Sequence, residues 1–268
     1  MSQATIEAHY LPNRRLSDAM GFVGYNCGYT QARGTAPFAE HQKALVWRLL
    51  GDVPISSSTT VLDIGCGIGG PAEWILRERR PGRILGLEYC WSSVLGAEQR
   101  TSTQQDRPRF VQGDAHQLPL ATASVDVIFN LESALHYVDK NAFLKECRRV
   151  LVSGGSLCLG DITAPLKLLF SPFALLNHLP TQFNSNIRLW SSKDYLAGFA
   201  NAGLRVDRHE DVTVPVADSL ADGLEEIRRR GWQGSKGFRA RALYLAMLEK
   251  LLRARRLTYD LFQLTAVE

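Results

Sequence analysis

Two rhythms of apolar residues alternate along this chain: short unbroken runs, and longer stretches with an apolar stripe on one face. The first clear run is Val61-Leu62-Asp63-Ile64, which reads as a short strand buried in a parallel sheet. Gly65, Gly67 and Gly69 follow where a strand must turn tightly into a helix, and a helix of roughly 15 residues is expected from near Pro71. Runs at Ile84-Leu85-Gly86-Leu87, at Arg109-Phe110-Val111-Gln112, and over 124–130 and 156–160 predict further strands. Upstream, residues 38–50 read as an amphipathic helix and Ser56-Ser57-Ser58 as the loop into the first strand. Downstream, residues 191–202 read as a helix with Ser191 or Ser192 as cap and Gly203 as stop. Leu204-Arg205-Val206 and Val212-Thr213-Val214-Pro215-Val216 together predict an interrupted sixth strand, followed by helices over 220–230 and 239–256 and a closing run at 259–267. Strands alternating with helices in this way define an α/β fold.

A strand, a glycine turn and a helix start place free backbone N–H groups, at the positive end of a helix, against an acidic or polar ligand. Glycine leaves no Cβ there to block it. Glu88 ends the second strand, near the place about 20 residues beyond the glycine turn where an acid hydrogen-bonds ribose hydroxyls. The glycines are spaced G-x-G-x-G rather than G-x-G-x-x-G, and the third strand runs into Gly113-Asp114-Ala115-His116. Leu118-Pro119-Leu120, then Ser124-Val125-Asp126-Val127-Ile128-Phe129-Asn130, Arg149-Val150-Leu151 and Gly154-Gly155-Ser156-Leu157 follow in that order. Taken together, these residues resemble the class I, Rossmann-like S-adenosylmethionine-dependent methyltransferases over about residues 55–205, and their small-molecule branch in particular. Cys90, where serine or threonine is common, and Ser153, where Pro-Gly-Gly is usual, depart from the family pattern without removing a cofactor contact.

The resemblance implies a seven-stranded, mostly parallel sheet with helices on both faces, closed by an antiparallel last strand. It also implies an N-terminal helical cap over 1–54, and a core over 55–268 with an apolar lid inserted after strand 5 at about 164–190. S-adenosyl-L-methionine would be the cofactor and S-adenosyl-L-homocysteine its product, with no metal. Glu88 would accept from both ribose hydroxyls, Tyr89 would lie against the adenine, and Asp114 would take the adenine amino group beside Ala115 and His116. Asp63 would face the amino-acid end, and the carbonyl of Asn130 the same end, with Gly65, Cys66, Gly67, Gly69 and Leu131 completing the cofactor set. In Tyr25-Asn26-Cys27-Gly28-Tyr29, a tyrosine, Tyr25 or Tyr29, would close over the methionine end; a glycine turn between two half-buried tyrosines has the same sequence, and both readings stand.

Glu132 and His136 are four apart, hence on one face if the segment is helical, just past the carboxyl end of a strand where open α/β sheets bind ligands. The run resembles the Glu-Ser-x-x-His segment of methyltransferases acting on sugars, phenols, tocopherol-like rings and small amines. His136 is the candidate general base, Glu132 a stabiliser of positive charge, and Asp161 a group that orients the base or the acceptor. Each also has a bland account: His136 packed in the site, Asp114 a helix cap, His116 merely exposed. Residues 165–176 are apolar and broken by prolines, which suits a lid over a hydrophobic or aromatic acceptor walled by Phe170, Phe173, Phe183 and Trp190. A homodimer contact would have the same composition.

The chain has 268 residues, 45% of them apolar, enough for one large domain with a cap. No run of 18 apolar residues exists, so no membrane span is expected, and the first residues carry Glu7 and His9 with no apolar run to make a secretory signal. Five cysteines without C-x-x-C pairing or a histidine cluster read as reduced, cytoplasmic thiols rather than a metal site or disulfide frame. The net charge of +4 gathers in Arg228-Arg229-Arg230 and Arg253 to Arg256, beside Glu225, Glu226 and Glu249. That is a solvated helix face; a nucleic-acid footprint would be a basic stripe interleaved with aromatics, and none is present. Leu131-Glu132-Ser133 after Asn130, in place of Pro-Pro-aromatic, also demotes base methylation. An RNA or protein acceptor, C- or N-methylation, and a non-methylating cyclisation on the same fold remain as alternatives.

Overall fold

The computed structural model describes residues 24–165, 187–229 and 236–267. Its seven strands are β1 (Thr60–Ile64), β2 (Arg83–Glu88), β3 (Arg109–Gln112), β4 (Val125–Leu131), β5 (Leu151–Thr163), β6 (Leu204–Asp211) and β7 (Thr258–Ala266). Seven α-helices lie among the described residues: α1 (Phe38–Leu50), α2 (Gly70–Arg79), α3 (Trp91–Thr101), α4 (Lys140–Val150), α5 (Ser192–Asn201), α6 (Thr213–Arg229) and α7 (Lys236–Arg253). The strands form one sheet in the order β3-β2-β1-β4-β5-β7-β6. Only β7 runs antiparallel to its neighbours, pairing Asp161 with Asp260 on one side and Asp211 with Asp260 on the other. The sequence order reverses between β1 and β4, and the crevice outside their carboxyl ends is where such sheets bind ligands.

Each face of the sheet buries its own apolar layer. Leu45 and Leu49 of α1, Ile75 of α2, Val216 and Leu220 of α6 and Leu248 of α7 pack on one side with Phe129 and Tyr259. Phe143 and Cys147 of α4 and Tyr195 and Phe199 of α5 pack on the other with Ile128 and Phe262. Local chemistry sets the helix starts. Ser191 and Asp194 form a reciprocal capping box at α5, and the Asp139 side chain accepts the Ala142 N–H at 2.9 Å at α4. Gly69 enters α2 at φ 80°, and a Cβ there would stand 2.4 Å from the Phe110 ring, so both conformation and space demand glycine.

Three expectations need correction. The helix after the glycine turn spans ten residues rather than roughly 15, ending at Arg80 in a left-handed conformation. Val212 to Val216 do not extend the sixth strand: β6 is continuous to Asp211, whose side chain accepts the Thr213 N–H at 2.9 Å and starts α6. Pro215 falls in the first helical turn, where no donor is missed, and Val216, Leu220, Leu224 and Ile227 then make a buried stripe. Finally, the segment after β4 is not an α-helix but a single 3-10 turn, Ala134–His136, with Glu132 outside it at φ 51°. Glu132 and His136 therefore do not share a helical face.

Candidate active site

The glycine turn joins β1 to α2 at the crevice. Gly65 and Gly67 have φ of 71° and 54°, and the Gly67 N–H reaches back to Glu88 Oε2 at 3.0 Å. Glu88 Oε1 accepts the Cys90 N–H at 3.0 Å, so each carboxylate oxygen holds one backbone donor and keeps a lone pair for a hydroxyl. Burial pushes the Glu88 carboxyl above its ordinary value, and those backbone donors pull against it. A Cβ on Gly67 would lie 3.1 Å from the Tyr25 ring, so Tyr25 lies against the loop. Tyr29 is placed elsewhere: its hydroxyl accepts from Gln31 at 2.9 Å and Arg48 lies over its ring. Cys66 is buried under Gly86, and Leu131 ends β4 against Gly160.

Asp63 is 2% exposed and its Oδ2 has no partner. Burial, with Glu88 close by, pushes its carboxyl up to about 8. Asn130 is fully buried; its Nδ2 donates to the Ile64 carbonyl at 2.8 Å and to Tyr137 Oη at 3.2 Å, while Oδ1 has no partner. Two buried acceptors thus stand without donors at the ends of neighbouring strands. A buried acceptor left unpaired is costly, and a ligand ammonium is a donor that would satisfy one. The donor set fits S-adenosylmethionine: acceptors for its ammonium, Glu88 for ribose hydroxyls, and a side-chain-free loop between them.

At the adenine end the residues come together only in part. Asp114 follows β3 next to Glu88, but its Oδ1 takes the His116 N–H at 2.8 Å and the His116 ring at 2.6 Å. His116 therefore holds Asp114, and its own ring lies edge-on to Tyr137. Ala115 is buried, while Tyr89 stands 44% exposed beside Trp91.

The acceptor side divides between the two faces of the sheet. Glu132 Oε1 accepts the Cys27 N–H at 2.6 Å and the Tyr259 hydroxyl at 2.8 Å, and Oε2 takes the Cys27 thiol at 3.2 Å. Asp161 points to the α5 side, where Oδ2 accepts the Tyr195 hydroxyl at 2.5 Å; burial raises its carboxyl. Lys140, nearly buried, donates to the Arg188 carbonyl, and burial lowers its ammonium. His136 is partly buried on the 3-10 turn. Trp190 packs against Tyr195 and Lys140; Phe170, Phe173 and Phe183 lie outside the described residues. Among the described residues no three His, Cys, Asp or Glu side chains gather to hold a metal ion.

Sequence reasoning missed several positions. Ser133 and Tyr137 adjoin the glycine turn, but their spacing signals nothing once the segment is not helical. Arg100 supports the loop from behind, donating to the Ile68 carbonyl at 3.0 Å and pairing with Glu73. Only the folded chain brings α3 and α2 together there.

Comparison with known proteins agrees with this geometry. A sequence family described as a methyltransferase domain matches residues 62–159. The chain is 31% identical over 209 residues to 27-O-demethylrifamycin SV methyltransferase of Amycolatopsis mediterranei, covering 74% of each. It is 38% identical over 145 residues to erythromycin 3''-O-methyltransferase of Saccharopolyspora erythraea, covering 53% of this chain and 47%, about half, of that relative. In fold it matches the solved [4+2]-cyclase SpnF with a TM-score of 0.80 at 19% identity, over 100% of this chain and 97% of that one. The fold and site define a Rossmann-like, cofactor-binding transferase domain. The chain belongs to the class I S-adenosylmethionine-dependent methyltransferases.

Proposed function

We propose that this protein methylates a hydroxyl on a small, hydrophobic or aromatic, natural-product-like acceptor, with S-adenosylmethionine as donor and His136 as general base. The observation that carries the reading is the pair of partnerless acceptors, Asp63 Oδ2 and Asn130 Oδ1, at the crevice that Glu88 and the glycine turn also face. Both relatives named above bear O-methyltransferase or demethyl-acceptor names, which favours a hydroxyl over carbon or nitrogen. The cofactor supplies an electrophilic methyl on a sulfonium. The acceptor oxygen forms the new C–O bond as the methyl–sulfur bond breaks, and the proton of the hydroxyl passes to His136.

Alignment and exclusion of water account for most of the acceleration, since charge is neutralised in the transition state. A base adds roughly 10²–10⁴-fold. On this reading Tyr25 closes the methionine end, Tyr89 and Asp114 hold the adenine, and Phe170, Phe173, Phe183 and Trp190 wall the acceptor. Residues 1–54 form the cap, 55–268 the core, and 164–190 the lid. Asp161 and Glu132 act from their buried networks as positioning groups, since each carboxylate is already engaged. Cys27, Cys66, Cys90, Cys147 and Cys158 are free and buried, which suits a reducing, cytoplasmic setting. No helix among the described residues is long and apolar enough to cross a membrane.

The test incubates the protein with S-adenosylmethionine and a panel of phenolic and sugar hydroxyl acceptors, and follows S-adenosylhomocysteine by mass spectrometry. His136→Gln is expected to lower kcat about a hundredfold and to remove the fall in rate on the acidic limb, where a general base becomes protonated. Release of S-adenosylhomocysteine with an unchanged pH profile in H136Q would remove the base assignment. Product formation with the cofactor left intact would instead point to a cyclase-type reaction.

A further inference from the structure

Three side chains on the segment after β4 form a hydrogen-bonded chain beside the glycine turn. Asn130 Nδ2 faces the Ile64 carbonyl at 2.8 Å, so that atom must be the amide's donor end. Its second hydrogen goes to Tyr137 Oη at 3.2 Å, and Tyr137 Oη lies 2.6 Å from Ser133 Oγ. Whichever hydroxyl donates in that contact, the other keeps one hydrogen for a partner outside the chain.

That donor abuts the loop itself. A Cβ built on Gly65 would fall 1.8 Å from Ser133 Oγ and 3.2 Å from Tyr137 Oη, so the hydroxyls occupy the space that glycine vacates. Burial holds the Tyr137 phenol well above its usual range, so it keeps its proton. The same chain fixes the Asn130 amide, whose buried Oδ1 has no partner. This edge of the crevice therefore offers an unpaired acceptor, Asn130 Oδ1, and one donor from the Ser133–Tyr137 pair. An α-amino acid zwitterion needs that combination: an acceptor for its ammonium, a donor for its carboxylate.

We propose that Ser133 binds the carboxylate of the cofactor's amino-acid end, and that Tyr137 is a positioning residue that polarises Ser133 and Asn130 for this task. The inference rests on the cofactor reading above, and the experiment separates the two. Calorimetry compares S-adenosylhomocysteine with 5'-methylthioadenosine, which has the nucleoside and the sulfur but no amino-acid end. Ser133→Ala and Tyr137→Phe are expected to weaken S-adenosylhomocysteine about 5- to 50-fold, in keeping with loss of a charge-assisted hydrogen bond, while 5'-methylthioadenosine changes less than about twofold. Ser133→Thr should restore most of the loss if the hydroxyl is what matters. Thermal melting of each variant checks that it folds. Equal weakening of both ligands, or no change for S-adenosylhomocysteine, overturns the proposal while leaving the cofactor assignment in place. Failure of the wild-type protein to bind either ligand overturns both.

Discussion

The carboxylate of Glu132 accepts the backbone N–H of Cys27 at 2.6 Å, tying the segment that carries Tyr25 to the carboxyl end of β4. Glu132 adopts φ 51° to do so, a conformation that costs a non-glycine residue about 1 kcal/mol or more. The bond to Cys27 and the one from the Tyr259 hydroxyl offset that strain. Glu132→Ala is expected to lower the melting temperature by several degrees, since the hydrogen bonds from the Cys27 N–H, the Cys27 thiol and the Tyr259 hydroxyl are lost. Glu132→Gly, which relieves the strain but loses the same bonds, should fall between that variant and wild type. A melting curve of E132A superimposable on wild type would remove the latch.

On the proposed reading, Glu88 offers the ribose a carboxylate that Gly67 and Cys90 hold in place. Glu88→Gln is expected to weaken S-adenosylmethionine several-fold to about a hundredfold. Asp114→Asn should do the same if Asp114 leaves His116 for the adenine amino group. Calorimetry showing unchanged affinity in both variants would refute the adenosyl pocket.

If Asp63 meets the cofactor's ammonium as proposed, cofactor binding is coupled to a proton. Its folded carboxyl is raised to about 8, so near pH 7 it is mostly protonated in the free protein. An ammonium placed against Oδ2 favours the charged form, and binding should release a proton. The release is read from calorimetry in buffers of different ionisation enthalpy, and Asp63→Asn should abolish it. The sign for stability is the reverse of a salt-bridged acid. Between the ordinary carboxyl range and about 8 the folded state holds a proton that the unfolded chain has lost, so stability of the free protein falls as pH rises through that window. A denaturation midpoint rising with pH there, specifically dependent on Asp63, would contradict the assignment.

Gly65 has no room for a side chain, with Ser133 Oγ 1.8 Å from its missing Cβ and φ at 71°. Gly65→Ala is expected to cost about 1–3 kcal/mol of stability and to weaken cofactor binding together with it. Gly34, at φ 71° with nothing within 4 Å of its missing Cβ, is the control: Gly34→Ala should disturb conformation alone and leave binding unchanged. Equal effects on cofactor affinity at the two positions would show that the Gly65 loss is not local to the site.

Much of this was legible in the chain. Residues 38–50 gave α1 with the bounds observed, and Arg109 to Gln112 gave β3, because apolar period and turn residues agree with the tertiary environment there. The glycine turn was legible because positive φ and close backbone approach restrict residue type strongly. Val212 to Val216 misled because β-branched residues favour strands in isolation, whereas the Asp211 cap and the buried stripe of α6 decide for helix. The four-residue spacing of Glu132 and His136 misled because spacing implies proximity only if the backbone is helical.

The sequence by itself determined the order of strands and helices, the glycine turn and the acids on adjacent strand ends, since these follow from periodicity and local conformational preference. Only the tertiary structure decided that Glu132 reaches Cys27, that Asp161 faces Tyr195 on the opposite side of the sheet, and that Asn130, Tyr137 and Ser133 line up against Gly65. Side-chain hydrogen bonds form between atoms brought together by packing, and no local rule along the chain encodes which partner a buried polar group will meet.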